Sequence, residues 1–191
     1  MESIQVNKQN MLLGAFWGDA FALGAHWIYD IEVIEKKFGT IRSLTQPLAG
    51  SYHTGKNRGD FTHYGDQTLL LLQWMSGYKE FDLQRFKEKW VSFSKEYGGY
   101  IDGSTKKTLA NIAAGKADPV GSESKDLAGV GRIAPLLYYY GELGPLLDAV
   151  RELVTMSHNN ELTVCTAQFF AKLTHGVLQG AAMKDALLDS L

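Results

Sequence analysis

The feature that most constrains this chain is a junction where a polar, glycine-containing loop runs directly into an apolar helix. Residues 59–65 read Gly-Asp-Phe-Thr-His-Tyr-Gly, and Asp66, Gln67 and Thr68 follow them just before the apolar run 69–74. The first N–H groups of a helix lack intrahelical partners, and Asp, Gln or Thr can satisfy them. Three oxygen donors at one helix end also form a set that suits Mg²⁺. The spacing therefore predicts a capped helix over 66–78 and leaves a metal site at its start as the alternative.

Helical periodicity extends over most of the chain, and no segment indicates a strand. Further helices are predicted over residues 11–25, 31–37, 104–114 (with Ser104 or Thr105 as the N-cap), 145–156, 162–178 and 181–191. Another helix carries an aromatic stripe that ends at 98–99; its members, predicted to lie in the core, are Phe86, Trp90, Phe93 and Tyr97. The helix over 162–178 is expected to bury Cys165, Phe169, Leu173 and Val177. We therefore expect one all-α domain over residues 1–191.

The composition excludes several classes of partner. Hydrophobic residues make up 45% of the chain and charged residues 21%, as in ordinary globular proteins. A net charge of −2 favours neither nucleic acid nor an anionic membrane as a partner. The single cysteine excludes an intrachain disulfide and is typical of a reducing, cytoplasmic environment. Residues 11–25 are too few to span a membrane, which requires about 20 apolar residues.

The helix over 11–25 contains an unexpected carboxylate. Its residues are apolar on all sides, which predicts a central helix, and Gly14, Gly18 and Ala22 form a smooth stripe where another helix can pack closely. Asp19 lies in the middle of this helix. A buried carboxylate needs a hydrogen bond or a nearby cation. Asp19 is therefore expected either to bind a backbone N–H of a neighbouring helix or to organise a site.

Two long irregular segments lead to further candidate residues. The segment 40–65 is expected to lie over one side of any pocket, and its Lys56 is either solvated or near a phosphate. The segment 116–129 leads into Gly129, Val130, Gly131 and Arg132, and small residues before a helix can form an anion-binding N-terminus. Arg132 is expected to contact a phosphate or to pair with a buried acid such as Asp19. His158 follows the helix over 145–156 and either caps it or belongs to a site.

Several of these segments together resemble the ADP-ribosylglycohydrolase family. They are Gly18-Asp19-Ala20 with Gly24, Tyr64-Gly65-Asp66-Gln67-Thr68, the turn before Arg132-Ile133-Ala134-Pro135-Leu136, and His158. Gly65 stands where the family has Thr, and Gln67 replaces its second Asp, a pattern that is most similar to the J-type crystallin branch. The family's acidic Gly-Gly-Asp segment has no counterpart. The chain thus resembles the N-terminal two-thirds of the fold, with the C-terminal part missing.

The resemblance implies a compact orthogonal multi-helix fold and a specific site. Asp66 and Asp19 would be catalytic, and Asp66, Gln67 and Thr68 would bind Mg²⁺. Substrate would contact Gly129, Val130, Gly131, Arg132 and His158. The implied activity is hydrolysis of N- or O-glycosidic ADP-ribosyl bonds.

The implied partners are an ADP-ribose-containing small molecule or an ADP-ribosylated protein, together with a homo-oligomer or a complementing chain. Whether this chain is an enzyme stays open. The alternative is a non-catalytic, crystallin-like or ligand-binding homologue that has lost the dinuclear metal site. A third reading is a helical module that only binds a partner.

Overall fold

The computed structural model describes residues 2–191, and within that range it is helical. Its helices are α1 (Glu2–Ala22), α2 (Ile31–Phe38), α3 (His63–Tyr78), α4 (Leu83–Glu96), α5 (Gly103–Ala113), α6 (Ala134–Tyr139), α7 (Leu143–Thr155), α8 (Glu161–Leu178) and α9 (Met183–Ser190), with a 3₁₀ helix over Leu127–Arg132 before α6. Between residues 2 and 191 the only strand-like pairing is an isolated bridge of Ser122 with His158. The predicted all-α class is confirmed.

The core lies where α3, α4, α6, α7 and α8 meet. Leu71 of α3, Trp90 of α4, Leu136 of α6 and Val150 of α7 are fully buried there. The amphipathic pattern of α7 explains its placement, because its apolar residues recur at helical spacing on one face. The predicted inward residues of this helix, namely Leu146, Val150, Leu153 and Val154, are all buried. Helix α3 thus enters the core at its apolar run and leaves its polar first turn at the edge.

The caps of two helices differ from those predicted. Helix α3 begins at His63, and its N-cap is Thr62, whose hydroxyl accepts a hydrogen bond from the Tyr64 N–H at 3.1 Å. Helix α5 is capped by Asp102, which accepts from the Thr105 N–H at 2.6 Å. Each capping side chain stands just before the helix that it caps, as an N-cap must. Residues 66–68 and 104–105 therefore lie inside their helices with side chains free for other contacts.

The prediction that the first helix is central was wrong. Helix α1 packs against α6 and α3 on one side only, and its Leu13 and Trp17 are 66% and 61% exposed. A methyl group added at Gly14 or Gly18 would meet no atom within 4 Å, so no helix approaches the small-residue stripe. When apolar residues lie on all sides of a helix, as in α1, the sequence does not indicate which side packs against the rest of the protein. No helix over residues 2–191 has the length and apolarity needed to cross a membrane.

The buried face of α8 also differs from the prediction. Cys165 is exposed, and the buried residues include Val164, Ala167 and Ala171, which follow the spacing i, i+3, i+7. The small alanines allow α8 to pack closely against α7. The aromatic and sulfur-containing residues that suggested the other face are larger, and Phe169 is only partly buried. The apolar spacing of α8 therefore did not by itself identify the buried face.

Candidate functional site

Asp66, in the first turn of α3, is held by a lysine and a tyrosine. Its Oδ2 lies 2.5 Å from the Lys56 ammonium and accepts a hydrogen bond of 2.6 Å from the Tyr97 hydroxyl. The Lys56 and Asp66 side chains are each only 20% exposed. Burial and the hydrogen bond to Asp66 raise the pKa of Tyr97, which keeps its hydroxyl protonated as a donor. The expectation that Tyr97 is part of a core stripe was wrong, because it follows α4 and reaches this carboxylate.

Asp19 is bound to the N-terminus of α3 and not to a cation. Its Oδ2 accepts from the Thr62 N–H at 2.7 Å, and its Oδ1 accepts from the Thr62 hydroxyl at 2.6 Å. Burial raises the pKa of Asp19 above its ordinary value. The backbone-binding alternative for Asp19 is therefore what the structure shows. An ion pair between Arg132 and Asp19 does not form; the guanidinium binds elsewhere, as described below.

Gly65 makes the position of Asp19 possible. A Cβ at residue 65 would overlap Oδ2 of Asp19 and lie 2.7 Å from Cβ of Phe61. Distances below 3.0 Å are essentially never seen for real Cβ atoms, so a side chain there would displace the carboxylate. The hydrogen bonds from Thr62 to Asp19 therefore depend on the absence of a side chain at residue 65.

The other two residues predicted as metal ligands, Gln67 and Thr68, are bonded to the protein itself. Gln67 Oε1 accepts from Trp90 Nε1 and from Arg132 Nη1, each at 2.6 Å, and its amide nitrogen lies 2.9 Å from His63 Nδ1. The Thr68 hydroxyl donates to the Tyr64 carbonyl at 2.9 Å. Both Gln67 and Thr68 are buried. Their amide and hydroxyl groups thus connect secondary-structure elements inside the molecule.

Gln67 and Arg132 lie at the centre of a set of linked polar side chains that we call the polar network; its members are Gln67, Arg132, His63, Asp102, Ser157, His158 and Asp126. One arm runs from Gln67 through His63 to Asp102, with 2.6 Å between His63 Nε2 and Asp102 Oδ2. The other runs from Arg132 through the Ser157 hydroxyl and His158 to Asp126, where His158 Nε2 lies 2.8 Å from Oδ1. A single tautomer of each histidine, protonated on Nε2, satisfies both arms.

The charges of the polar network follow from burial and from these hydrogen bonds. Burial lowers the pKa of Arg132 to about 10, which leaves the guanidinium charged at neutral pH. Burial opposes ionisation of Asp102, but the hydrogen bonds from His63 and the Thr105 N–H and the charge of Arg132 outweigh it and lower the pKa to about 2. Burial likewise opposes ionisation of Asp126, whose pKa is nevertheless lowered by Ser124 and His158. The network therefore contains one buried cation and two carboxylates that are ionised at neutral pH.

The glycines that were expected beside a phosphate lie within the 3₁₀ helix. A Cβ at Gly129 would lie 3.1 Å from His158 Nδ1, so this glycine allows the histidine to approach. Gly131 instead lines a small cavity with Asp19 and Gly65. The helix N-terminus itself is occupied, because Asp126 Oδ1 accepts from the Ala128 N–H at 3.0 Å. The chain thus places its own carboxylate where the sequence suggested a bound anion.

Both carboxylates of the polar network open into a cavity of about 480 Å³ that we call the aromatic cavity. Its lining includes Trp27, Tyr29, Tyr52, Tyr64 and Tyr100, together with His26, Asp102 and Asp126. The loop between α2 and α3 contributes Tyr52, which confirms that this loop covers one side of a pocket. Helix α3 contributes Tyr64, and Asp102 is the N-cap residue of α5. A cavity of this volume accommodates a small organic ligand.

These residues do not fit the dinuclear Mg²⁺ site that the family resemblance implies. Two Mg²⁺ ions bring four positive charges, and octahedral oxygen coordination with several carboxylates must balance them. Two carboxylates, Asp66 and Asp19, lie at the start of α3; an ammonium and a hydroxyl already bind Oδ2 of Asp66, and Thr62 binds both oxygens of Asp19. In the part of the chain that the structure describes, no three His, Cys, Asp or Glu side chains group as metal ligands would.

Sequence reasoning missed most of the residues that line the aromatic cavity. Asp102 and Asp126 each precede a helix, so the N-cap rule could have located them, although it does not predict that they face one cavity. Trp27, Tyr52 and Tyr100 stand in irregular segments, where large aromatic side chains have no helix face to fill. Lys56 was considered only as a phosphate ligand or a solvated residue. Its partner, Asp66, lies on a different element.

Comparisons with known proteins agree with this fold. The chain is 25% identical to Crystallin J1A of Tripedalia cystophora over 189 residues, which cover 88% of this chain and 58% of that protein. It is 23% identical to Crystallin J1B of the same organism, covering 94% of this chain and 61% of that protein. A solved structure titled ADP-ribosylglycohydrolase-related protein complex superposes with a TM-score of 0.79 at 21% identity, over 100% of this chain and 62% of that one.

The chain therefore spans about three fifths of the length of these relatives. The structural likeness shows a shared fold, and at this identity it shows no more. The sequence model of the ADP-ribosylglycohydrolase family matches residues 7–191, a range that contains α3, the polar network and the aromatic cavity. The chain therefore belongs to the ADP-ribosylglycohydrolase family.

Proposed function

We propose that this chain is a ligand-binding member of its family that works without a dinuclear Mg²⁺ centre and does not hydrolyse ADP-ribosyl bonds. One observation carries the proposal: the Lys56 ammonium lies 2.5 Å from Asp66 Oδ2, where a metal-dependent relative would need a free carboxylate. The ion pair is largely shielded from water, and the Tyr97 hydroxyl donates to the same oxygen at 2.6 Å. A metal ion would have to displace both groups.

The aromatic cavity is the proposed ligand site. It is separate from the ion pair of Lys56 and Asp66. Its rings and carboxylates come from α3, from the segments that precede α2, α3 and α5, and from the residue before the 3₁₀ helix. Convergence of aromatic rings with a few fixed polar groups is typical of small-molecule sites. The ligand that family membership suggests first is an ADP-ribose-containing molecule or an ADP-ribosylated protein.

Family membership also favours a second candidate function, which is hydrolysis of an ADP-ribosyl bond. Asp66 and Asp19 would then be the catalytic carboxylates, as the resemblance implies. This function requires more carboxylates around Asp66 than residues 2–191 bring together. It also requires the Lys56 ammonium to move away from Asp66. A second polypeptide or a further segment that supplies acidic groups would meet the first requirement.

A hydrolysis assay separates the two candidates. The purified chain is incubated with ADP-ribosyl-arginine, ADP-ribosyl-serine and O-acetyl-ADP-ribose, with Mg²⁺, with Mn²⁺ and with a chelator, and the released ADP-ribose is measured. We expect no release under any condition. Metal-dependent release that disappears in Asp66→Asn and persists in Asp189→Asn, an exposed acid on α9, would overturn the proposal in favour of the hydrolase.

The binding half of the proposal is tested by thermal shift. The same compounds and a set of small metabolites are screened against the wild type and two tyrosine variants of equal exposure, Tyr52→Leu in the aromatic cavity and Tyr78→Leu outside it. Tyr52 is 51% exposed and Tyr78 is 52% exposed. Stabilisation that is lost in Tyr52→Leu and kept in Tyr78→Leu supports the site. Ligands that stabilise both variants equally would place binding elsewhere and contradict it.

A further inference from the structure

We propose that the aromatic cavity binds a small quaternary ammonium cation, held by aromatic rings and by the field of Asp102 and Asp126. This inference deepens the proposed function and rests on it, because it takes the cavity to be the ligand site of a binding protein. It departs from the ligand that family membership suggests, which carries negatively charged phosphates. The rings, the two carboxylates and the absence of free acceptor positions on Asp126 each support it.

The rings around Trp27 pack against one another and together form an aromatic side of the cavity. The ring centroid of Trp27 is 5.0 Å from that of Tyr100, 5.4 Å from that of Tyr52 and 5.8 Å from that of Tyr64. Tyr52 and Tyr100 are themselves 4.7 Å apart. The faces of these rings are electron-rich, and Trp and Tyr are the side chains that attract a cation most strongly. All four rings line one cavity.

The backbone at Trp27 shows that this ring cluster is tightly held. Trp27 has a φ of 62°, in the left-handed region that bulky residues rarely adopt. Its indole stacks on the His53 ring, with centroids 5.3 Å apart and planes 7° from parallel. An unfavourable backbone conformation persists only when its surroundings enforce it, and such residues are concentrated at ligand sites.

The chain already places one of its own cations against this cluster. The Lys106 ammonium lies 4.2 Å from the centroid of Tyr100, well within cation–π distance. Lys106 is an exposed side chain on α5, so solvent can receive it when a ligand arrives. Its presence shows that a ring of the cavity accepts a cation; Lys106 does not line the cavity, but its positive charge beside Tyr100 opposes a cationic ligand there.

The two carboxylates repel the phosphates of a nucleotide and attract a cation. Asp102 and Asp126 are both ionised at neutral pH, and the Oδ1 atom of each already binds one N–H of the helix that follows it, that of Thr105 and that of Ala128. Those N–H groups would otherwise be the natural phosphate ligands. His26 stays neutral, because burial and the neighbouring histidines lower its pKa to about 4. Arg132 lies behind the carboxylates and offsets part of their charge, but it is buried and does not line the cavity.

The hydrogen bonds of Asp126 identify the kind of cation. Its Oδ1 accepts from the Ala128 N–H and from His158, and its Oδ2 accepts from the hydroxyls of Ser104 and Ser124. A carboxylate has about four acceptor positions, so Asp126 has none left for an N–H of a ligand. At Asp126, whose side chain is 50% exposed against 9% for Asp102, a primary ammonium or a guanidinium would lose hydrogen bonds to water without replacement. A quaternary ammonium has no N–H to satisfy and loses none.

The test compares choline with 3,3-dimethyl-1-butanol, which has the same shape but carries carbon in place of the charged nitrogen. Both are titrated into the full chain by calorimetry at low salt, and ADP-ribose is titrated as the anionic probe. We expect choline to bind at least fivefold more tightly than its neutral counterpart and more tightly than ADP-ribose. Equal affinity for choline and its neutral counterpart, no binding of choline, or preference for ADP-ribose would overturn the inference.

Three variants examine the mechanism. Tyr52→Leu should weaken the binding of choline at least fivefold and leave the affinity for 3,3-dimethyl-1-butanol unchanged. Tyr78→Leu should change neither affinity. Lys106→Met should strengthen choline binding, because it removes a positive charge beside the cavity, and unchanged affinity there would contradict an electrostatic role for Lys106. Failure of this inference is distinguishable from failure of the proposed function: hydrolysis of ADP-ribosyl compounds refutes the proposed function, and loss of choline selectivity without hydrolysis refutes only this inference.

Discussion

At the scale of single residues, Gly65 and Asp19 determine how α3 is attached to α1. The Asp19 carboxylate binds both the N–H and the hydroxyl of Thr62, the residue that caps α3. It reaches them only because residue 65 has no Cβ. Position 65 is therefore occupied by the one residue type that allows this contact.

We predict that Gly65→Ala destabilises the protein by about 1–3 kcal/mol, because the added Cβ displaces a buried, doubly bonded carboxylate. The matched control is Gly77→Ala in the same helix, where a methyl group meets no atom within 4 Å. Removing a glycine from that open helical position should stabilise the protein by about 0.5–1 kcal/mol. Chemical denaturation measures both values. Equal effects of the two substitutions would show that Asp19 is not fixed by the space at residue 65.

Lys56 and Tyr97 show why the sequence did not reveal the contacts of Asp66. Lys56 lies in an irregular loop and Tyr97 follows the end of α4, so no periodic pattern relates either of them to α3. Tyr97 continues the spacing of Phe86, Trp90 and Phe93, and that regularity suggested a core position. A contact between elements that are distant in sequence depends on how they pack, which local pattern does not encode.

At the scale of elements, prediction succeeded where a helix is amphipathic and failed where it is not. Helix α7 buries the four residues that its spacing indicates. Helix α1 is apolar on several faces, and the pattern did not show that Leu13 and Trp17 would be exposed. In α8 the small residues Ala167 and Ala171 form the contact face. The Asp residues that cap helices were recognisable, but the convergence of two of them on the aromatic cavity arises from the tertiary fold.

The segment after α1 and the loop before α3 meet through two histidines, and their contact should depend on pH. His26 Nδ1 lies 2.8 Å from His53 Nε2, so one ring must donate to the other and both cannot be protonated. Burial lowers the pKa of both; that of His26 falls from 6.5 to about 4. Between these two pH values the unfolded chain binds a proton at His26 that the folded chain does not. Stability must therefore decrease as the pH falls through this window.

We predict that the free energy of unfolding decreases by about 1–2 kcal/mol more in the wild type than in His26→Gln between pH 6.5 and pH 4, after allowance for solvent screening of a partly exposed group. Urea denaturation at several pH values measures the difference. Subtracting the His26→Gln curve removes the contribution of Asp19, whose raised pKa acts in the opposite direction. Parallel curves for the two proteins would mean that His26 titrates normally in the folded state.

At the scale of the whole molecule, α1 leaves an apolar face uncovered. Val6, Leu13 and Trp17 are 47%, 66% and 61% exposed along one side of this helix, next to the open Gly14 and Gly18. Contiguous exposed apolar surface on a protein commonly marks a site of association. This exposure favours self-association or a second polypeptide on this face.

We predict that the chain self-associates in solution and that Trp17→Glu weakens the association at least tenfold. Burial of a large apolar side chain contributes about 1.5–3 kcal/mol, and each 1.4 kcal/mol corresponds to a factor of ten. Sedimentation equilibrium measures the mass of the wild type and the variant. Leu162→Glu is the control, because Leu162 is equally exposed, at 63%, on α8. A monomeric wild type, or equal weakening by both substitutions, would contradict a specific interface on α1.

The central claim concerns the charge that balances Asp66, and calorimetric titration with Mg²⁺ and Mn²⁺ tests it most directly. If Lys56 balances this carboxylate, the wild type shows no micromolar metal binding, and Lys56→Gln gains one weak site at most. That substitution removes the ammonium without supplying the further carboxylates that two metal ions need. Two metal ions bound by the wild type at micromolar strength, and lost in Asp66→Ala, would contradict the account and establish a metal-dependent site.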